Sequence, residues 1–267
     1  MHRIKLIVEY DGTNYAGWQR QINAVSVQQR LEEALSRLTK VPVTVTGASR
    51  TDAGVHALGQ TVHFDTESRI PADKYSYALN TMLPADIRVR ASMPAAEDFH
   101  SRFQAKSKIY RYLIHNDHHA SAVWRNTRAH VMYDLDVDKM NREVQSMIGT
   151  HDFAPFAASG SVVKDTVRTI YNARVVRQGN CVMLLVHGNG FLYNMVRILA
   201  GTLISVGTGK LEELHNRGSR PEEYVTQYRC GKNVRIREEA GACRQGGRLR
   251  CNQKRKQRAY EAVWRSG

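Results

Sequence analysis

Polar and apolar residues alternate from Arg3 to Tyr10, with Ile4, Leu6, Val8 and Tyr10 on one side, and this period of two predicts a half-buried strand. The period then changes. Val27, Leu31, Leu35 and Leu38 form one apolar stripe at helical spacing, and Ser26 and Gln29 stand at capping-box spacing at its start. Val41, Val43 and Val45 alternate along the stretch that holds Thr44 and Thr46 and predict a second strand. Thr61 to Asp65 predicts a third, after a loop from Arg50 to His56. Pro71 opens a helix running to about Met82, and Ile87 to Ala91 closes the series with a fourth strand. The order is βαββαβ.

The second half repeats that order. Lys108 to His115 alternates as a strand, and Asp136 can cap a helix that points Met140, Val144, Met147 and Ile148 inward and stops at Gly149. Two strands follow, over about Thr166 to Val176 and Cys181 to His187, then a helix from about Leu192 to Val206 with Gly207 as its stop. The pattern implies an α/β protein of the α+β type, built from two ferredoxin- or RRM-like βαββαβ halves with mainly antiparallel sheets and a ligand cleft between them. The expected division is an N-terminal α/β domain over 1–100, a C-terminal one over 101–214 and an atypical tail over 215–267, with Ala95 to Lys106 as the hinge region.

The tail breaks the repeat. A final strand is due soon after Gly207, yet the only candidate is the charged stretch around Val234 and Ile236, so the second half lacks an obvious last strand. Two readings stay open. The segment is either a basic, poorly ordered RNA-binding extension, or the native C-terminus has been replaced through a reading-frame shift near residues 215–217. Either way the tail is expected to leave a sheet edge of the second half unpaired and to lower stability.

Composition sharpens this picture at two points. With 267 residues, 42% of them hydrophobic, the chain can fold around a large core. The net charge of +14 invites a polyanion, but residues 217–267 hold fourteen Lys or Arg against five Glu and so carry +9 of it, leaving +5 for the body. Cys230, Cys243 and Cys251 lie in the tail at spacings that match no zinc motif and read as free thiols. The longest apolar run, Phe191 to Val206, is too short for a bilayer and contains Arg197, and no signal peptide is visible, so the expected setting is the cytoplasm with no membrane partner.

Two residues draw attention as chemistry. Arg197 sits in a helix that is apolar around most of its circumference, and a buried guanidinium requires a carboxylate or phosphate at its tip. An ordinary buried salt bridge or a snorkelling arginine satisfies the same requirement. A candidate partner is Asp52 in the loop Gly47-Ala48-Ser49-Arg50-Thr51-Asp52-Ala53-Gly54-Val55-His56, where small residues let another molecule approach. Taken alone, Asp52 equally suits an Asx-turn.

Five ordered blocks add an identity. Tyr10-Asp11-Gly12-Thr13-Asn14-Tyr15-Ala16-Gly17-Trp18-Gln19-Arg20-Gln21 resembles the opening motif of TruA-type tRNA pseudouridine synthases, and Arg50-Thr51-Asp52-Ala53-Gly54-Val55-His56-Ala57 resembles their catalytic loop. Lys108-Ile109-Tyr110-Arg111-Tyr112, His151-Asp152-Phe153 and Gly190-Phe191-Leu192-Tyr193-Asn194-Met195-Val196-Arg197 are similar to three further blocks, and the likeness stops at about Leu214. The resemblance implies an isomerase that breaks the C1′–N1 bond of a uridine, turns the base and rejoins it through C5. It implies neither cofactor nor metal, and a homodimer acting on uridines 38–40 of the tRNA anticodon stem-loop. It makes Asp52 the catalytic aspartate, by addition to the ring or ribose or by removal of a ribose proton. Arg197 becomes its ionic partner and Tyr110 the ring that stacks on a flipped base. Arg50, Arg20, Lys106 and Lys108 are candidate RNA contacts; Tyr15 and Trp18 read as packing residues, and His56 as either a loop hydrogen-bonder or an RNA contact. The tract His115-Asn116-Asp117-His118-His119 reads as a turn rather than a metal site. Two rival classes are an RRM-like RNA binder without catalysis and a metal-dependent nuclease using Asp52, Asp11 and histidines.

Overall fold

The computed structural model describes residues 1–158 and 163–212, and the backbone of 234–240. Strand β1 (His2–Tyr10) carries the expected alternation and lies between β3 (His56–Thr66) and β4 (Ile87–Ala95), antiparallel to both. Helix α1 (Val27–Thr39) and the short α2 (Tyr75–Asn80) cover this sheet, and Ile4, Leu6, Val8, Leu31, Leu35, Phe64 and Leu79 form a core from which water is excluded. Ser26 caps α1 by accepting from the Gln29 N–H at 3.2 Å, but Gln29 spends its own amide on Glu33, so only half of the capping box forms.

The second half is built on β5 (Ala105–Asn116), β6 (Ala129–Val131), α3 (Val137–Gln145), β7 (Gly149–Asp152), β8 (Val167–Gln178), β9 (Cys181–Gly188) and α4 (Met195–Gly207). Its core joins Ile114, Val175 and Leu184 of the strands to Met140 and Val144 of α3 and to Ile198 and Leu199 of α4. Asp136 caps α3, its Oδ1 accepting from Lys139 N at 2.8 Å.

Several expected boundaries change, each for a local reason. Val41 to Val45 is not a strand: β2 is only Thr46–Gly47. The valine backbone is instead taken up by helix side chains, with Val43 N donating to Ser36 Oγ and Val45 N to Glu32 Oε1. The helix after Pro71 splits into a 3₁₀ turn over Ala72–Lys74 and α2, which ends at Asn80 because that side chain bonds both the N–H and the C=O of Val89. Helix α3 stops at Gln145, so Met147 is buried but Ile148 is largely exposed. Helix α4 starts at Met195 rather than Leu192, because Asn194 adopts the left-handed region (φ 57°) and turns the preceding Phe191–Tyr193 away from the helix. β6 and β7, at three and four residues, are too short to show a period.

The largest correction concerns the tail. Val234–Ala240 forms β10, antiparallel to β5 and parallel to β3, with Ile236 opposite Tyr110 on one side and Ala57 on the other. The edge of the second half expected to stand unpaired is therefore paired. Backbone ladders accept any side chain but proline, which is why a charged sequence can fill a place that its hydrophobic pattern barely advertises. β10 also completes the repeat: it flanks β5 as β4 flanks β1, while β9 stands to β5 as β3 stands to β1. The order β4-β1-β3-β10-β5-β9-β8-β7 makes one continuous sheet, antiparallel except at β3–β10 and β5–β6. The readings offered for the rest of 215–267, and Cys230, Cys243 and Cys251, lie outside the described residues.

Candidate active site

The loop from Ala48 to Val55 crosses from β2 to β3 and is braced at several backbone groups. Trp18 N donates to Thr51 O (3.0 Å), Gly54 N to Tyr15 O (3.1 Å), and the Tyr10 and Thr51 hydroxyls share a hydrogen bond of 2.8 Å. Lys108 Nζ donates to Ala48 O at 3.1 Å and Gln60 Nε2 to Ser49 O at 2.6 Å. Two glycines of the 10–21 block make this brace possible by close approach. A Cβ on Gly12 would lie 2.0 Å from Val55 O, and one on Gly17, at φ 96°, would lie 2.4 Å from Thr51 O. That block is thus a cradle for the loop, and Tyr15 and Trp18 are buried packing residues. His56 is buried between Asp11 Oδ1 (2.9 Å) and Asn126 O (3.0 Å), which makes it a loop hydrogen-bonder tying the loop to the second half.

Held in this way, Asp52 faces the other half of the molecule. Its Oδ2 lies 4.0 Å from Arg197 Nε in the first turn of α4, and Arg197 Nη2 donates to Ala53 O at 3.2 Å. Among the described residues the Asp52 carboxylate accepts no bond from its own loop, so the Asx-turn reading does not apply. Arg197 is neither fully buried nor snorkelling: its side chain, 21% exposed, ends at the loop from the opposite half.

The two residues sit in a cleft of about 420 Å³, within the usual size of a small-ligand site. Tyr110 of β5 lines one wall, its ring set edge-to-face against Phe191 with centroids 4.7 Å apart. Arg50, Lys108, Arg102, Ser49 and Thr51 also line it. Burial pushes the Asp52 carboxyl above its ordinary value, and Arg197 opposes this without cancelling it. At 4.0 Å the pair is an ion contact rather than a hydrogen-bonded bridge, so the cation offsets only part of the burial.

Of the other candidates, Arg50 and Lys108 reach this cleft. Arg20 does not. It is bound to the buried carboxylate of Glu32 at 3.0 Å and lines a separate groove with Gln21, Ile22 and Gln29. Lys106 is exposed on β5 outside the cleft lining. Arg102 and Phe191 are not singled out by the sequence; Phe191 lies inside the 190–197 block, whereas Arg102 lies in the hinge stretch, outside every block. Among the described residues no group of three His, Cys, Asp or Glu side chains could hold a metal ion. Asp11, assigned to a metal in the nuclease reading, is committed to His56 and Thr13. No described helix is long and apolar enough to cross a membrane.

Comparison with known proteins gives the family. A family model described as tRNA pseudouridine synthase matches residues 6–104 and 144–217. The chain is 54% identical over 214 residues to tRNA pseudouridine synthase A of Ruminiclostridium cellulolyticum, covering 80% of this chain and 87% of that protein. It is 52% identical over 211 residues to the enzyme of the same name from Acetivibrio thermocellus, covering 79% and 86%. Among solved structures, an archaeal box H/ACA sRNP Nop10–Cbf5 complex aligns with 12% identity and a TM-score of 0.36, over 88% of this chain and 47% of that one, too low a score to bear on the fold. With the family model matching well over half of the chain and the aligned identity above one half, this chain belongs to the tRNA pseudouridine synthase family and is an isomerase that converts uridine to pseudouridine in tRNA.

Proposed function

We propose that Asp52 performs this isomerisation in the cleft between the two halves, with Arg197 as its ionic partner and Tyr110 as the surface on which the target base rests. The observation that carries the reading is the convergence of Asp52 from the first half and Arg197 from the second at 4.0 Å, beside the Tyr110 ring. In the reaction the C1′–N1 bond breaks, a C1′–C5 bond forms, and the C5 proton leaves as N1 gains one, so no redox partner is required. The ionised carboxylate serves as nucleophile or base, and burial makes it more reactive by removing the water that would solvate it. Arg197 keeps that carboxylate ionised and, through Ala53 O, holds its loop in place. The uridine must leave the stack to reach Asp52, and Tyr110 offsets part of that cost by stacking on the extruded base. Arg50 and Lys108 border the cleft where phosphates of the flipped nucleotide would pass.

The same reading extends to uridines 38–40 of the anticodon stem-loop, to a cytoplasmic setting and to a homodimer, in which a second mildly basic body widens the surface offered to tRNA. It treats 1–100 and 101–214 as the two domains and 215–267 as a basic tail that lends them β10. Asp52→Asn tests the core of it: turnover falls by at least about a thousandfold while tRNA still binds. Turnover within tenfold of the unchanged protein would remove Asp52 from the chemistry.

A further inference from the structure

The turn from His100 to Gln104 has no part in the chemistry above, yet it is exposed and held by several hydrogen bonds. His100 Nδ1 accepts from both Arg102 N and Phe103 N at 3.2 Å, and Gln104 N returns to His100 O at 3.0 Å. Ser101 anchors the turn to the sheet, donating from its N–H to His63 Nδ1 (3.2 Å) and from its hydroxyl to Thr46 O (2.7 Å). His63 is buried, and burial lowers it to about 4, so at neutral pH it is an uncharged acceptor. A turn fixed by this many bonds holds whatever it displays in one orientation.

It displays an arginine and an aromatic ring. Phe103 is 79% exposed, and one face of its ring is stacked on His100, centroids 4.1 Å apart and planes 25° apart. His100 is backed in turn by His63 at 5.0 Å, edge to face. The other face of Phe103 meets solvent. Arg102, the preceding residue, lines the cleft that holds Asp52, and its guanidinium has no hydrogen-bond or ion-pair partner among the described residues. The cleft lining contains Arg50, Arg102, Lys108 and Arg197 against the single carboxylate of Asp52. An exposed flat ring one residue from an arginine of a cationic cleft matches the chemistry of single-stranded nucleic acid, in which each base offers a π-face and each linkage a charge. A protein partner would be expected to bring carboxylates to such a surface, and the established substrate is a polyanion already.

We propose that this turn is a second RNA contact, which takes the nucleotide adjacent to the flipped uridine: Arg102 binds its phosphate at the cleft mouth and the open face of Phe103 stacks on its base. The inference rests on Asp52 being the reaction centre. Its role is positioning: once a uridine leaves the stack its neighbour loses a stacking partner, and a preformed ring supplies the replacement.

Binding of an anticodon stem-loop and of whole tRNA to the full chain tests this, together with steady-state kinetics. Phe103→Ala and Phe103→Leu should both weaken binding roughly 5- to 100-fold and raise KM more than they lower kcat, while Phe103→Trp restores affinity. Leucine keeps the apolar area but has no π-face, so equal binding by Phe103→Leu and the unchanged chain overturns the proposal. Arg102→Gln should reduce the slope of log K against log salt by about one; an unchanged slope removes the phosphate contact. A Phe103→Ala chain that changes oligomeric state while keeping its affinity per site would assign the ring to a contact between copies, and overturn the RNA role. Failure here is separable from failure of the reaction centre, because the latter appears as turnover retained by Asp52→Asn, whatever Phe103 does.

Discussion

Asp52 is costly where it stands. Its folded value lies above the ordinary carboxylate value near 3.9, so the charged form is the one the fold disfavours. A group raised in this way contributes stability below its unfolded value and loses it as the pH rises through the folded one. Asp52→Asn should therefore raise the thermal midpoint at neutral pH, and the advantage should shrink toward zero near pH 4; a midpoint lower than that of the unchanged chain at pH 7 contradicts this. If Asp52 acts as proposed, the acid limb of kcat/KM should report the same ionisation. Arg197 lowers the Asp52 value, so Arg197→Met should shift that limb to higher pH as well as reduce the rate, whereas an unmoved limb would mean that the two charges do not communicate. Arg197 was legible from sequence as a guanidinium in need of a carboxylate or phosphate; here it lies 4.0 Å from the Asp52 carboxylate, and its bond to Ala53 O was not foreseen. Asp52 was not legible by physics without the ordered motifs, because nothing local separates it from a turn aspartate. Arg102 was missed because its relevance depends on a turn folding back beside the cleft.

At the level of elements, the proposed reaction centre depends on how the loop before β3 is braced. Residues 10–18 supply backbone partners rather than chemistry, and the two glycines set the approach. Gly12→Ala and Gly17→Ala should each cost at least about 2 kcal/mol of stability and reduce turnover, because both displace the Thr51–Val55 backbone from the position in which Asp52 meets Arg197. Urea unfolding together with the tRNA assay checks this; normal turnover in either variant would mean that the loop holds its place unaided. Long periodic elements were readable in advance: β1, α1, β8 and β9 lie close to where their patterns put them. The Val41–Val45 stretch was misread because alternation reports which side chains are buried, not where the backbone bonds go, and here they go to Ser36 and Glu32. The start of α4 was misread because a left-handed asparagine leaves no periodic trace.

Across the whole molecule, β10 joins the two halves into one sheet, and it does so beside the site: its neighbours are the strand that leaves the Asp52 loop and the strand that carries Tyr110. The repeat called for a strand flanking β5, but its hydrophobic pattern was too weak to place it, since backbone pairing supplies what side-chain burial does not. A chain ending after Glu212 should melt lower, on the order of 5 °C or more, and expose the amides of His56–Gly59 and Ser107–Tyr112 to hydrogen exchange. Equal midpoints and equal protection would show that β10 contributes nothing to the sheet. The central claim, that a carboxylate from one half and a guanidinium from the other form a single reaction centre on tRNA, is tested most directly by tritium release from tRNA carrying [5-³H]uridine. The full chain should release tritium and form pseudouridine, and Asp52→Asn should bind the same tRNA and release none above background. Release by Asp52→Asn at a rate close to that of the full chain would contradict the account.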